Sequence, residues 1–190
     1  ELSRALEEVK HEKQLSEGLL NRMAPPEVIP AMMEDKLEAE KISATLMFTD
    51  LENFTEFTAG MEPDEIFSRL NHYFSWAGDI MTRYRGYLNK TNGDGTMALF
   101  GAPNGNSTHP TDAVLVGLAL QNEVRDHIPL NMRIGINTGT IATGLLGPQN
   151  KGLYDVLGDA VNTESRMEGI CPSAGVCISG DTYELVKPYF

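Results

Sequence analysis

Two aspartates stand where the sequence predicts that a strand ends or turns. Asp50 closely follows the apolar run Ala44–Phe48, and Asp94 lies in an Asn-Gly-Asp-Gly segment between two apolar runs. Such a run predicts a buried strand, and the Asn-Gly-Asp-Gly segment is typical of a β-hairpin. If the hairpin brings Asp94 beside Asp50, the two carboxylates can share two divalent metal ions, an arrangement used for in-line displacement at phosphorus. Spacing alone leaves open the simpler interpretation, in which each aspartate shapes a turn or caps a helix.

Two further groups of residues have types suited to binding phosphate or stabilising charge. Asn53, Phe54 and Thr55 follow Asp50 closely and are predicted to open a helix, whose first N–H groups can bind phosphate. Asn162 and Arg166 are four residues apart in a predicted helix, so they share one face. A solvated helix surface is the alternative for this second pair.

Three segments, FTDLENFT, KTNGDGTMALFG and YDVLGDAVNTESRM, occur in this order along the chain. Together they resemble the catalytic domain of the class III nucleotidyl cyclases, the adenylyl and guanylyl cyclases, from about Ile42 to the end of the chain. Three separated motifs in the correct order are more specific than any one of them. The resemblance implies an enzyme that converts a nucleoside triphosphate into a 3′,5′-cyclic nucleotide and pyrophosphate.

The resemblance also assigns a metal site and a phosphate site. It implies that Asp50, Asp94 and the main-chain carbonyl of Leu51 hold two Mg²⁺ or Mn²⁺ ions in each active site. The backbone N–H groups around Asn53, Phe54 and Thr55 would bind the terminal phosphates. Because the chemistry is then positioning and charge stabilisation, no protein nucleophile is required.

A second part of the site is implied to act across a dimer interface. Asn162 would position the ribose, and Arg166 would meet the charge that develops on the α-phosphate. In the family these two residues act on the nucleotide held by the partner's aspartates. This chain contains both sets, so the resemblance implies a homodimer with two complete sites.

Lys90 and Asp155 match the family positions that read the purine base. A lysine can donate to adenine N1 and an aspartate can accept from the 6-amino group, whereas guanine has the reversed pattern. Guanylyl cyclases use a glutamate and a small residue at these positions. The sequence therefore predicts ATP as the substrate and an adenylate cyclase activity.

Apolar periodicity and turn residues predict an α+β fold. The order of predicted elements is strand, helix, strand, strand, helix, strand, which indicates a ferredoxin-like βαββαβ core with extra C-terminal elements. The first strand is predicted over Ile42–Phe48 and the first long helix over Pro63–Tyr84. Within that helix, Tyr73 and Trp76 are interpreted as packing residues.

The chain divides into three predicted parts. Residues 1–24 are predicted to form a signalling helix whose apolar spacing favours a two-stranded coiled coil, with an amphipathic helix packed on its own domain as the alternative. Residues 25–41 form a connector that begins at a Pro-Pro pair, and residues 42–190 form the catalytic domain. We expect a fragment of a larger protein, with an upstream sensor domain and a C-terminus that ends before the family's phosphate-binding lysine; Lys187 lies too early for that residue.

Composition excludes some classes of function. A net charge of −12 argues against nonspecific nucleic-acid binding. The apolar runs are too short for a membrane span, and Cys171 and Cys177 match no metal-ligand spacing. We expect a cytoplasmic domain with reduced thiols, whose parent protein is either free or membrane-attached.

Three alternatives to the adenylate cyclase interpretation stay open. A guanylate cyclase is disfavoured by Lys90 and Asp155. A catalytically silent cyclase-like module that dimerises and relays a signal has no need for all four of the residues Asp50, Asp94, Asn162 and Arg166. A diguanylate cyclase would carry a Gly-Gly-acidic hairpin in place of Asn-Gly-Asp.

Overall fold

The computed structural model describes residues 2–20, 24–34, 36–148 and 152–190. These residues form an antiparallel sheet with helices packed on both faces. In chain order the elements are α1 (Leu2–Leu20), α2 (Ile29–Met33), β1 (Glu40–Leu51), α3 (Phe54–Phe57), α4 (Pro63–Arg83), β2 (Gly86–Asn92), β3 (Gly95–Phe100), α5 (His109–His127), β4 (Met132–Leu146), β5 (Leu153–Leu157), α6 (Asp159–Ile170), β6 (Val176–Ile178) and α7 (Gly180–Val186).

The sheet confirms the predicted α+β class and its βαββαβ core. The strand order is β2-β3-β1-β4-β5, and the neighbours in that order are antiparallel. The short strand β6 pairs in parallel with β4 as one of the extra C-terminal elements. With β1 and β4 at its centre, the core has the strand arrangement of a ferredoxin-like fold.

The first strand is longer than the prediction of Ile42–Phe48. It runs from Glu40 to Leu51, so Asp50 lies within the strand rather than in a turn after it. The reason is that β4 pairs with every residue of β1, from Glu40 opposite Thr143 to Leu51 opposite Met132. Backbone hydrogen bonds to a full-length partner extend a strand beyond its apolar segment.

Alternation along β1 separates two cores, one on each face of the sheet. Met47 and Leu51 pack into the first core with apolar residues of α4 and α5. Ala44 and Leu46 pack into the second core, on the opposite face. Thr49 lies two residues from both Met47 and Leu51, so its side chain is on the same face of the sheet, which α4 and α5 cover. The side chain of Asp50 is on the opposite face.

The predicted connector contributes to the second core. Val28 and Ile29 are each 5% exposed and, together with Ala24 at the end of the predicted signalling segment, pack with buried residues of β1, β3, β4 and β5. By contrast, Leu6 and Val9 of α1 are more than half exposed. The predicted coiled coil of α1 stays a prediction.

None of the helices in the described ranges has the length and apolar character needed to cross a membrane.

Candidate active site

The sheet brings Asp50 and Asp94 together. Asp94 lies in the turn between β2 and β3, and its Oδ2 accepts a hydrogen bond of 3.1 Å from the backbone N–H of Leu51. Thr49 of β1 pairs with Thr96 of β3, so the two aspartates lie just past the paired ends of neighbouring strands. The structure therefore places Asp50, Leu51 and Asp94, the three predicted metal ligands, next to one another.

Arg133 is a residue of this site that the sequence analysis did not identify. It is the register partner of Asp50 on β4, and its guanidinium donates to Asp50 Oδ2 at 2.6 Å. Its Nε also lies 3.8 Å from Glu52 Oε1. The signal available in the sequence was an arginine in an otherwise apolar, alternating strand, but the register that pairs it with Asp50 requires the fold. We refer to Asp50, Asp94 and Arg133 as the carboxylate end.

The electrostatics of Asp94 reflect its crowded position. Burial and the nearby Asp50 carboxylate raise the pKa of Asp94, while hydrogen bonds from backbone N–H groups and the charge of Arg133 act in the opposite direction. A second acid close to a partly buried acid is a common property of sites that bind a cation.

Close backbone packing fixes the turn that carries Asp94. A Cβ added to Gly95 would lie 2.9 Å from the backbone oxygen of Thr49, closer than real contacts allow. Gly93 has a φ of 62°, which favours glycine. These two glycines let the turn approach β1 closely enough for Asp94 to reach Leu51.

The donor set at the carboxylate end fits a hard divalent cation. Carboxylate oxygens from Asp50 and Asp94 with the carbonyl of Leu51 are ligands that Mg²⁺ and Mn²⁺ accept. In the part of the chain that the structure describes, no group of three or more His, Cys, Asp or Glu side chains forms a complete metal cage. Oxygen atoms of a phosphate or water would complete the coordination.

The predicted phosphate loop forms a single helical turn. Asn53 adopts the left-handed conformation with φ 60° and precedes α3, which covers Phe54–Phe57. The start of a helix after Asn53 agrees with the prediction. The loop continues directly from Leu51, so it lies beside the carboxylate end.

Lys90 and Asp155 form an ion pair within one chain. Lys90 Nζ donates to both carboxylate oxygens of Asp155, at 2.8 and 2.9 Å. Asp155 lies within β5, and a bulge between Leu88 and Lys90 interrupts the pairing of β2 with β3. We refer to these two residues as the Lys90–Asp155 pair.

The curl of the sheet makes this pair possible. Strands β2 and β5 stand at opposite ends of the strand order, yet Asn89 donates to the backbone oxygen of Tyr154 at 3.3 Å. The rings of Tyr87 and Tyr154 also lie edge to face, with centroids 6.4 Å apart. The two outer strands therefore meet over the second face of the sheet.

A cleft of about 400 Å³ joins the two parts of the candidate site. Asp50 lines it from β1 and Lys90 lines it from β2, with Phe48 and Met97 between them. The cleft has the size expected for a small-molecule site.

Helix α6 is held close to the sheet at its first turn. A Cβ on Gly139 would lie 2.9 Å from the Cβ of Ala160, and Asn137 donates to the backbone oxygen of Ala160 at 2.9 Å. Asn162 is exposed on this helix. The side chain of Arg166 lies outside the described residues.

An α+β fold with two acidic residues just past the paired ends of neighbouring strands, and a basic–acidic pair between the outer strands, defines a candidate phosphoryl-transfer domain. A family model described as the adenylate and guanylate cyclase catalytic domain matches residues 37–190. The chain belongs to this family, and the resemblance to class III nucleotidyl cyclases is confirmed.

Relatives include cyclases of both kinds. The chain is 33% identical to guanylate cyclase 32E of Drosophila melanogaster over 93% of its own length and 16% of that protein. It is similar to the adenylyl cyclase CyaB of P. aeruginosa, with a TM-score of 0.75 and 31% identity over 80% of this chain and 84% of that chain. A rhodopsin-guanylyl cyclase core with converted specificity, in complex with ATPαS, gives a TM-score of 0.76 and 31% identity over 80% and 86%.

These relatives establish a nucleotidyl cyclase catalytic domain. Among related structures, the core with converted specificity is in complex with ATPαS, and one guanylyl cyclase domain from the fungus Blastocladiella emersonii is a non-canonical dimer. The chain spans about a sixth of the length of the Drosophila relative.

Proposed function

We propose that this chain is the catalytic domain of an adenylate cyclase, which converts ATP to 3′,5′-cyclic AMP and pyrophosphate. The observation that carries the choice of ATP is the Lys90–Asp155 pair. Lys90 lines the cleft, and its Nζ lies 2.8 and 2.9 Å from the two carboxylate oxygens of Asp155. Adenine presents an acceptor at N1 beside a donor at the 6-amino group, which matches a lysine beside an aspartate.

The carboxylate end would hold the cofactor. Asp50, Asp94 and the carbonyl of Leu51 would bind two Mg²⁺ or Mn²⁺ ions, which lower the pKa of the ribose 3′-hydroxyl and brace the triphosphate when bound. The backbone around Asn53, Phe54 and Thr55 follows directly and would contact the terminal phosphates.

Arg133 supplies positive charge at the same place. Its guanidinium lies 2.6 Å from Asp50 Oδ2. A guanidinium there offsets the repulsion between two carboxylates and offers planar donors to phosphate oxygens.

The reaction needs no covalent intermediate with the protein. The ribose 3′-oxygen attacks the α-phosphorus, the bond from that phosphorus to the bridging oxygen of the β-phosphate breaks, and the 3′-hydroxyl proton leaves to solvent. Asn162 orients the ribose and Arg166 stabilises the charge on the α-phosphate, each from the partner of the chain that holds the metal ions. A homodimer then has two complete sites.

The remaining proposals concern the parent protein. Residues 1–24 would form a signalling helix that joins an upstream sensor domain to the connector at 25–41 and the catalytic domain at 42–190. The buried positions of Val28 and Ile29 support mechanical coupling between the connector and the sheet. The domain would work in the cytoplasm.

Turnover of ATP and GTP with Mn²⁺ and Mg²⁺ tests the proposal. We expect cyclic AMP and pyrophosphate from ATP, with GTP a poor substrate. Cyclic GMP as the main product would overturn the choice of base and leave the cyclase mechanism standing. No cyclic product from either nucleotide, in a chain shown to be dimeric, would contradict the enzyme assignment and favour a silent module.

A guanylate cyclase is the second candidate. It is favoured by the identity of 33% to a guanylate cyclase over nearly the whole chain. The relative with converted specificity indicates that this fold accommodates either base.

A further inference from the structure

Tyr73 of α4 is fully buried beneath the carboxylate end. Its side chain is 0% exposed, and its hydroxyl oxygen lies 2.8 Å from Thr49 Oγ1. Thr49 Oγ1 in turn lies 2.7 Å from Thr96 Oγ1. These three hydroxyl groups, which we call the Tyr73 cluster, join α4 to β1 and β3.

Two members of the Tyr73 cluster, Thr49 and Thr96, form the last register pair between β1 and β3, next to the two aspartates. Thr49 pairs with Thr96, and Asp50 follows Thr49 directly. Asp94 precedes Thr96 by two residues, beyond the last register pair, and its side chain accepts a hydrogen bond from the backbone N–H of Leu51. The separation of the two carboxylates therefore depends on how firmly this final pair is held.

The chemistry of Tyr73 suits a fixed hydrogen-bond donor. Burial, together with the charges of Asp94 and Asp50, raises the pKa of Tyr73 to about 12, despite hydrogen bonds with Thr49 and Thr96 that act in the opposite direction. The phenol stays protonated at neutral pH. It can donate to a threonine hydroxyl without adding a third negative charge beneath the aspartates.

We propose that Tyr73 is a positioning residue, which acts through Thr49 and Thr96 to hold Asp50 and Asp94 at the spacing that metal binding requires. This inference rests on the proposed function, because it concerns the metal site of the cyclase. It gives Tyr73 a role beyond packing, since a phenylalanine would fill the same volume.

A second set of buried hydroxyl groups on the same strand provides a matched control. Thr45 lies four residues before Thr49 and faces the same side of β1. Its Oγ1 lies 2.7 Å from His109 Nδ1 and 2.7 Å from Thr138 Oγ1, and Thr138 Oγ1 lies 2.9 Å from Thr182 Oγ1. We call these four residues the His109 cluster, and its contacts lead to α5 and α7 instead of the aspartates.

The test compares Tyr73→Phe and Thr49→Val with Thr45→Val in the full chain. Thr49→Val and Thr45→Val each remove a buried hydroxyl group that hydrogen-bonds to two side chains, and each keeps the shape of the side chain. Binding of Mn²⁺ is measured by electron paramagnetic resonance in the presence of 3′-deoxy-ATP and, separately, 3′-deoxy-GTP, which lack the attacking hydroxyl. Thermal unfolding without metal is measured for all variants.

We expect Tyr73→Phe and Thr49→Val to raise the Mn²⁺ dissociation constant roughly tenfold, the lower end of the loss seen for outer partners of metal ligands. Thr45→Val should leave that constant within about twofold of wild type while lowering the melting temperature by a similar amount to Thr49→Val. Thr49→Ser keeps the hydroxyl group, so its Mn²⁺ dissociation constant should be close to that of wild type. In turnover assays the Mn²⁺ concentration for half-maximal rate should rise more than kcat falls.

Equal Mn²⁺ affinity in Tyr73→Phe and wild type would overturn the inference and leave the proposed function intact. So would equal losses of affinity in Thr45→Val and Thr49→Val, since the effect would then follow stability alone. A wild-type chain that binds no Mn²⁺ with either analogue and forms no cyclic nucleotide would overturn the proposed function, and the inference with it.

Discussion

At the carboxylate end, Asp50 and Arg133 face each other as register partners on adjacent central strands. The Lys90–Asp155 pair instead joins β2 and β5, the two outermost strands of the order. The first arrangement follows from pairing of neighbours, whereas the second depends on the curl of the whole sheet. The comparison indicates that the two parts of the candidate site can be perturbed separately.

The largest expected effect comes from the carboxylate end. Asp94→Asn should lower turnover about a thousandfold, because it removes a charged metal ligand while keeping an oxygen that accepts from Leu51. Steady-state rates with Mn²⁺ measure the loss. The outcome that would contradict the two-carboxylate site is a variant with the wild-type rate at every metal concentration.

Asp94→Asn should greatly lower turnover, but without metal it should not lower the stability of the fold. Because folding raises the pKa of Asp94 above its value of 3.8, ionisation of this group opposes folding. The contribution of Asp94 to stability is fully present below pH 3.8 and is lost as the pH rises through the pKa of Asp94 in the folded state. Asp94→Asn should therefore unfold at a temperature no lower than wild type at pH 7, and added Mn²⁺ should stabilise only wild type.

Arg133→Ala is the second largest change. It removes the guanidinium that lies 2.6 Å from Asp50, and we expect kcat/KM to fall roughly a hundredfold as phosphate contacts and charge balance are lost. Arg69→Ala is the control, because Arg69 forms an exposed pair with Glu65 on α4. Similar losses in both variants would remove any special role for Arg133.

Changes to the Lys90–Asp155 pair should alter the choice of base more than the rate. Asp155→Ala should raise KM for ATP about tenfold, because the 6-amino group loses its acceptor. The double variant Lys90→Glu/Asp155→Ser should shift the preference towards GTP. Measuring kcat/KM for both nucleotides separates these effects, and an unchanged ratio would show that other residues read the base.

The smallest expected effect is on stability. Lys90 is 46% exposed in its side chain, so Lys90→Met should change the free energy of unfolding by less than about 1 kcal/mol. Arg133→Met removes the guanidinium that pairs with Asp50 and Glu52, and a loss of about 1 to 2 kcal/mol is expected. Urea unfolding of both variants sharpens the comparison, and equal losses would contradict it.

The sequence predicted the features that depend on local pattern. The βαββαβ order and the helix after Asn53 follow from periodicity and turn residues, and the structure agrees with them. The hairpin that carries Asp94 is of the same kind, because Asn-Gly-Asp-Gly has few other uses between two strands.

Features that depend on strand register or on the curvature of the sheet could not be predicted from the sequence. The end of β1 was placed too early because β4 extends it through Leu51. Arg133 was missed because only the register pairs it with Asp50. The contact of Lys90 with Asp155 spans 65 residues and two outer strands, and the resemblance, not periodicity, brought these two residues together.

The central claim is that each active site combines the carboxylate end of one chain with α6 of its partner. Asp94→Asn and Asn162→Ala should each be inactive as homodimers. When the two variants are mixed and allowed to exchange subunits, about half of the dimers are mixed and each holds one intact site, so roughly a quarter of wild-type activity should return. No recovery in a mixture shown to contain mixed dimers would contradict the account.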